Sequence, residues 1–206
     1  MAVLALVLIA VWLLLVAGLR TLIQVRRTGA ASAPRFRDRP GSPQWWARLL
    51  SGVGFACAVA APLAELAGLH PIPVLDRTPV RAAGVALVVL GIAATLAAQL
   101  AMGASWRPDV DPDTRTALVT SGPFRLVRNP IFIATAATTA GLALIVPNLL
   151  AAAMLVAFVA ALELQVRLVE EPYLHRVHGT AWERYAAQTG RFLPWIGRHR
   201  PGTGPA

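Results

Sequence analysis

Three stretches in the second half of the chain carry the side chains that could do chemistry. The first is Thr116-Ala-Leu-Val-Thr-Ser-Gly-Pro-Phe-Arg-Leu-Val-Arg-Asn-Pro-Ile-Phe132. Turn chemistry at Ser121-Gly122-Pro123 and at Asn129-Pro130 leaves backbone groups outside any regular ladder. Such a loop can wrap a polar ligand, or it can simply connect two elements and carry Arg125 and Arg128. In the second stretch Glu163, Arg167, Glu170 and Leu174 recur at helical spacing on one face, with Glu171 also four residues from Arg167. Glu163 lies inside an apolar run, where an ionisable group is costly and turns towards a partner or a wet cavity. These residues are either a structural ion pair at a helix end or the wall of a polar pocket. The third stretch opens with Thr180-Ala-Trp-Glu183, a capping box that predicts a helix from Ala181, ended by Gly190. Trp182 and Tyr185 share a face of that helix, which either covers the pocket from the membrane surface or is an interfacial anchor. Arg191-Phe-Leu-Pro194 follows. His175 and His178 precede the helix, and no metal ligands are assigned. Residue types and spacing alone name no reaction.

The elements that position these stretches are legible in the apolar runs. The chain has 206 residues, 56% hydrophobic and 14% charged, against about 25% charged in a soluble domain. A bilayer-spanning helix needs about 20 mostly apolar residues. Ala2–Leu19, Leu49–Leu69 with a kink at Pro62, Pro79–Met102, Ile131–Val146 and Leu149–Leu168 meet or approach that length. The fold class predicted is therefore all-α, an integral membrane bundle of about five transmembrane helices. Pro147-Asn148 makes the last two a tight hairpin. The fourth, at ~1.5 Å per residue, is short for a full crossing. The division expected is 1–101, three helices with a basic loop, and 102–206, a catalytic region.

All 19 basic residues are Arg, and the net charge is +9. The missing Lys and abundant Ala suggest a GC-rich, bacterial host. Nucleic-acid binding is not needed to explain the charge, because the Arg residues fall in loops between apolar runs. Seventeen of the 19 lie on one side: Arg20 to Arg48, Arg107 to Arg128, and Arg167 to Arg200. The positive-inside rule then predicts the N-terminus outside and the C-terminus in the cytoplasm, in a bacterial inner membrane. No basic residue precedes the first run, which reads as an anchor and not a cleaved signal. Cys57, the sole cysteine, excludes an intrachain disulfide.

With the motifs and topology in place, the chain resembles the isoprenylcysteine carboxyl methyltransferase and phospholipid methyltransferase superfamily of membrane methyltransferases. The resemblance rests on Leu118 to Phe132, Glu170-Glu-Pro-Tyr-Leu174, Gly179-Thr-Ala-Trp-Glu-Arg-Tyr185 and Arg191-Phe-Leu-Pro194, in the family's order across 102–196. It implies transfer of a methyl group from S-adenosylmethionine (SAM) to a lipophilic, membrane-embedded acceptor. The cofactor contacts it implies are Thr116, Ala117, Leu118, Val119, Phe124, Asn129, Pro130, Ile131, Phe132, Glu170 and Glu171. Catalytic roles fall by resemblance to Arg128, Arg167 and Glu171. Where the family carries a substrate-side Arg this chain has Val166, with Arg167 next to it. Asn129 stands where the prenylcysteine branch has His, and Asn-Pro with Glu-Glu-Pro-Tyr is closer to the phospholipid branch. Phe124 and Phe132 replace two Tyr.

A carboxylate acceptor titrates near 4 and needs no base. Arg128 or Arg167 could orient it as a fork. An amine acceptor must first lose a proton, to Glu171, His175 or His178. Membrane lipids are expected partners. A membrane reductase using NADPH, with Arg191 and Arg198 near a 2′-phosphate, and a non-catalytic scaffold are the competing readings.

Overall fold

The computed structural model describes residues 1–28, 39–103 and 117–199. Arg35, Arg37, Arg107, Arg115, Thr116 and Arg200 lie outside these residues, as does most of the Pro- and Arg-rich stretch between Arg26 and Pro43. The described residues form a helical bundle without strands, consistent with the expected class. Four helices are long and apolar enough to cross a bilayer, and the shorter Pro130–Ile145 is a fifth apolar helix.

The first span is longer than its apolar run. Helix α1 (Ala2–Trp12) passes through a π-helical stretch (Leu13–Leu19) into α2 (Arg20–Thr28) without a break. Arg20, expected in the loop, is instead a buried helical residue. Its Nη2 donates to the carbonyls of Gln99 at 3.3 Å and Gly103 at 2.7 Å. Those carbonyls belong to the last turn and C-cap of α4 (Thr78–Met102), which have no helical donors of their own and carry the negative end of the helix dipole. Gln99 Nε2 donates in return to the Val16 carbonyl, at 3.3 Å, within the π-helical stretch.

Helix α3 (Pro43–Leu66) starts earlier than the apolar run because Ser42 caps it, accepting from the Trp45 amide at 3.2 Å, with Pro43 in the first position. Trp45 and Trp46 stand in its first turn, where an interfacial aromatic belt belongs. Pro62 sits inside the helix without ending it.

Helix α5 (Pro130–Ile145) packs along α4. The buried face of α4 reads Gly84, Val88, Gly91, Thr95 and Ala98, at helical spacing. Gly84 and Gly141 meet backbone to backbone: a Cβ on Gly84 would lie 2.7 Å from the Gly141 carbonyl, and one on Gly141 2.6 Å from that of Gly84. Without a hydrophobic force between helices in lipid, such close approach supplies the dispersion that holds them. On the other side α3 packs on α6 (Leu149–Leu164), with Phe55 edge-on to Phe158 at 5.0 Å.

The Pro147-Asn148 hairpin forms as expected. Asn148 accepts from the Ala151 amide at 3.0 Å and donates to the Ala61 carbonyl at 2.9 Å, so one side chain caps α6 and ties it to α3. At this end of the bundle Arg81 pairs with Asp76 at 2.7 Å.

Candidate functional site

At the opposite end, the α6 helix does not keep its register. It runs through a π-helical stretch (Gln165–Glu170) into α7 (Glu171–His178). Buried positions step 157, 161, 166, 169 and 173, and the step of five from Ala161 to Val166 marks the inserted residue. Pro172 lies just beyond: it has no N–H for the Leu168 carbonyl, so regular α-helix cannot continue undisturbed there. The single face predicted for Glu163, Arg167, Glu170 and Leu174 is therefore not kept. Glu171 lies across the helix from Val169 and Tyr173 and is buried instead under the loop into α5 and the C-terminal arm, while Glu170 stays half-buried.

Glu171 is buried between two guanidinium groups. Arg128 donates to its Oε1 from Nε at 3.0 Å and Nη2 at 2.7 Å. Arg191 donates from Nε to both oxygens at 3.0 Å and from Nη2 to Oε2 at 2.6 Å. The side chains of Arg128 and Glu171 are only 4% and 9% exposed. Arg128 also donates from Nη1 to the carbonyls of Ala186 at 3.1 Å and Thr189 at 2.5 Å, and from Nη2 to that of Gly197 at 3.0 Å. A guanidinium has five N–H donors, and all five of Arg128 are engaged. Trp182 covers it, its ring centroid 5.9 Å from the Arg128 Cζ.

The backbone around this ion-pair knot is equally committed. A 3₁₀ turn (Gly122–Arg125) leads in, with Gly122 at φ +59° and Phe124 buried. Val127 bridges Gly190 in parallel. The Arg128 amide donates to the Gly190 carbonyl at 2.8 Å. Asn129 donates to the Arg191 carbonyl from its amide and from Nδ2, each at 3.2 Å. Tyr185, on helix α8 (Thr180–Gln188), donates its hydroxyl to the Phe124 carbonyl at 2.7 Å. Burial pushes that phenol up to about 12, so it stays a donor at neutral pH. The pairing with Glu171 raises Arg191 above its ordinary value, and Glu163 adds to this through space. Glu163 and Glu171 thus both act on Arg191.

Two local expectations are corrected. Helix α8 forms, but not by a capping box: Gly179 caps it at φ +50°, and Glu183 reaches across to His175 Nε2 at 2.8 Å. Gly190 does not end it in a left-handed turn. Glycine is required there because a Cβ would lie 1.9 Å from the Leu193 carbonyl.

Of the residues singled out from sequence, Arg128, Asn129 and Glu171 come together, and Phe124 joins them through Tyr185. Pro130, Ile131 and Phe132 form the first turn of α5, half-buried beside the knot. Ala117, Leu118 and Val119 lie in irregular chain, the first exposed and the others half-buried. Glu170 is half-buried at the end of the π-helical stretch. Arg167 pairs with Glu163, and that pair is open, with side chains 54% and 39% exposed. Missed from sequence were Arg191 as the second cation on Glu171, and the carbonyls of Ala186, Thr189 and Gly197. The available signal was the order of the motifs alone, a Glu-Glu pair at 170–171 flanked by Arg128-Asn-Pro130 and Arg191-Phe-Leu-Pro194.

The architecture defines a class: a helical membrane protein whose loop into α5 and C-terminal arm are tied over the end of α6 by one carboxylate and two guanidinium groups. The sequence profile of the phospholipid methyltransferase family matches residues 80–181. That region, from the first turn of α4 to the start of α8, belongs to this family of membrane methyltransferases. It contains Arg128, Asn129, Glu170 and Glu171 and stops short of Trp182 and Arg191. No curated protein matches the chain.

Proposed function

We propose that the chain transfers the methyl group of SAM to a lipophilic acceptor, of the prenylcysteine-carboxylate or phospholipid-amine kind, at the cytoplasmic face of a bacterial inner membrane. The observation that carries this is the meeting of the loop into α5 with the acidic end of α6 at Arg128, Glu171 and Arg191. SAM is a small zwitterion whose sulfonium and ammonium are attracted by carboxylates. In this reading the carboxylates of Glu163 and Glu170, near the end of the same helix, attract those two cationic groups. Bound there, SAM supplies an electrophilic methyl group.

The chain's own residues divide their work by exposure. Glu171 has about four lone-pair sites, and five N–H contacts fill them. It has no position left from which to accept a proton. Arg128 has no donor left for an acceptor carboxylate. Both are positioning residues in this reading: they fix the loop that closes over the cofactor. In this reading the open Arg167, paired with Glu163, orients an acceptor headgroup. Holding an acceptor atom about 3–3.5 Å from the methyl and excluding water is the main catalytic task. The NADPH reading loses one of its two cations, because Arg191 is committed to Glu171.

Titration of the purified, lipid-reconstituted protein with SAM and with NADPH tests the reading. Saturable SAM binding is expected, weakened at least tenfold by the double change Glu163→Gln and Glu170→Gln. Saturable NADPH binding without SAM binding would overturn it. Incubation with isotope-labelled SAM and total membrane lipid, followed by mass analysis of the labelled product, identifies the acceptor class.

A further inference from the structure

The C-terminal arm ends in an apolar tip that the methyl-transfer reading does not use. Leu193, Trp195 and Ile196 are 55%, 75% and 63% exposed. They are held outward by a tight turn: Leu193 bridges Ile196, the Ile196 amide donates to the Leu193 carbonyl at 3.1 Å, and the Arg191 amide donates to the Ile196 carbonyl at 2.9 Å. Trp195 is the only described residue other than glycine with a left-handed backbone, at φ +64°. A bulky side chain takes that conformation only where its surroundings impose it. Here the turn is imposed from below, by the contact of Gly190 with the Leu193 carbonyl and by the Arg191 pairing with Glu171.

The height of the tip relative to the bilayer follows from the backbone. Asn129, the N-cap of α5, donates to the Arg191 carbonyl, so Arg191 sits level with the end of that helix. The tip is two to five residues further on, at ~3.3 Å per residue at most. It therefore lies within roughly 18 Å of the helix end, and the turn shortens that span, since the Ile196 carbonyl returns to the Arg191 amide at 2.9 Å. A headgroup region of about 5–7 Å flanks each side of the hydrocarbon core. Arg125, Arg198 and the apolar Leu126 are exposed on the neighbouring chain. Tryptophan with aliphatic and Arg neighbours is the composition that partitions to a lipid interface, with the cations on anionic headgroups.

We infer that the Leu193–Ile196 tip is a wedge that inserts into the headgroup region of the bilayer and seats the C-terminal arm on the membrane. The same turn holds Arg191, so the wedge seats on the membrane the arm that supplies the second guanidinium to Glu171. This holds whatever the reaction is, since it rests on the membrane bundle and not on the cofactor.

The test compares the full-length protein with Trp195→Gly, a change that suits the left-handed backbone. Both are placed in vesicles of phosphatidylcholine with roughly one third phosphatidylglycerol, a composition chosen for its anionic surface. Lipids brominated near the headgroup end of the chain serve as quenchers. The difference spectrum isolates Trp195 from the other tryptophans. Its fluorescence should be quenched at least twofold by the brominated lipid and protected from aqueous acrylamide. A component quenched freely by acrylamide and untouched by brominated lipid would overturn the inference. So would protection from both quenchers with self-association of the chain, which would assign the tip to a second copy. Should Trp195→Gly fail to fold, Ile196→Cys in a Cys57→Ala background, carrying an environment-sensitive label, reads the same contact. A blue-shifted label emission supports the wedge and a water-like emission ends it.

Discussion

At the scale of single residues, the same charge types have opposite expected roles according to burial. Breaking a buried ion pair from one side leaves the partner charge stranded, which costs about 3–5 kcal/mol. Arg128→Leu is expected to destabilise by about that much, and early cleavage of the 180–199 arm by protease would reveal it. Arg128→Lys should recover only part, because an ammonium cannot reproduce the planar fork that reaches Glu171 and three carbonyls. Arg167→Gln removes an open pair and should change stability by no more than ~0.5 kcal/mol. Under the proposed function it nonetheless lowers methyl transfer, so a stable but inactive variant separates chemistry from folding. Tyr185→Phe deletes the hydrogen bond to the Phe124 carbonyl, worth about 1 kcal/mol. The pH dependence of that contribution has a definite sign. Folding raises the phenol to about 12 from 10.0. Its contribution is therefore whole below pH 10 and is lost as pH rises through 12, which alkaline unfolding of wild type against Tyr185→Phe measures.

At the scale of elements, two features govern how the helices stand. One is the α4–α5 contact through glycine. Gly141→Ala must drive a methyl group into the Gly84 carbonyl and Val88, and overpacking of this kind costs about 1–3 kcal/mol. Gly52→Ala, on α3 with nothing within 4 Å of the added carbon, should be neutral or stabilising by up to ~1 kcal/mol. Paired thermal melts in one detergent check both. The other feature is the π-helical stretch before Glu171. Deleting Val166 would return α6 and α7 to uniform α spacing and turn Glu171 away from Arg128. Stability should fall as it does for Arg128→Leu, with no further loss when the two changes are combined.

At the scale of the whole molecule, charge and burial agree on an asymmetric bundle. On the side sparse in Arg, Arg81 is neutralised by Asp76. On the other side Arg20, Arg128 and Arg191 are built into helix ends and the site. Reporter fusions after Arg198 and between Leu69 and Arg77 should read cytoplasmic and external, respectively. Reversal of those two readings would place the site on the wrong face for a cytoplasmic cofactor.

The sequence by itself determined what depends on composition and short range. The apolar runs set the spans, Pro147-Asn148 set the hairpin, and the Arg distribution set the expected orientation. The loop and the Glu-Glu pair pointed to the methyltransferase family. Only the tertiary structure decided which acid is buried, because Glu171 is covered by Arg128 and Arg191 from the loop and the C-terminal arm, which helical spacing cannot anticipate. It also decided that Arg20 belongs to a helix end, that Gly190 serves close approach and not a cap, and that Arg191 completes the knot. The two arginine placements depend on partners distant in the chain, 20 residues for Arg191 and Glu171 and 83 for Arg20 and Gly103. Pairings at that range follow from how the helices pack, not from local pattern.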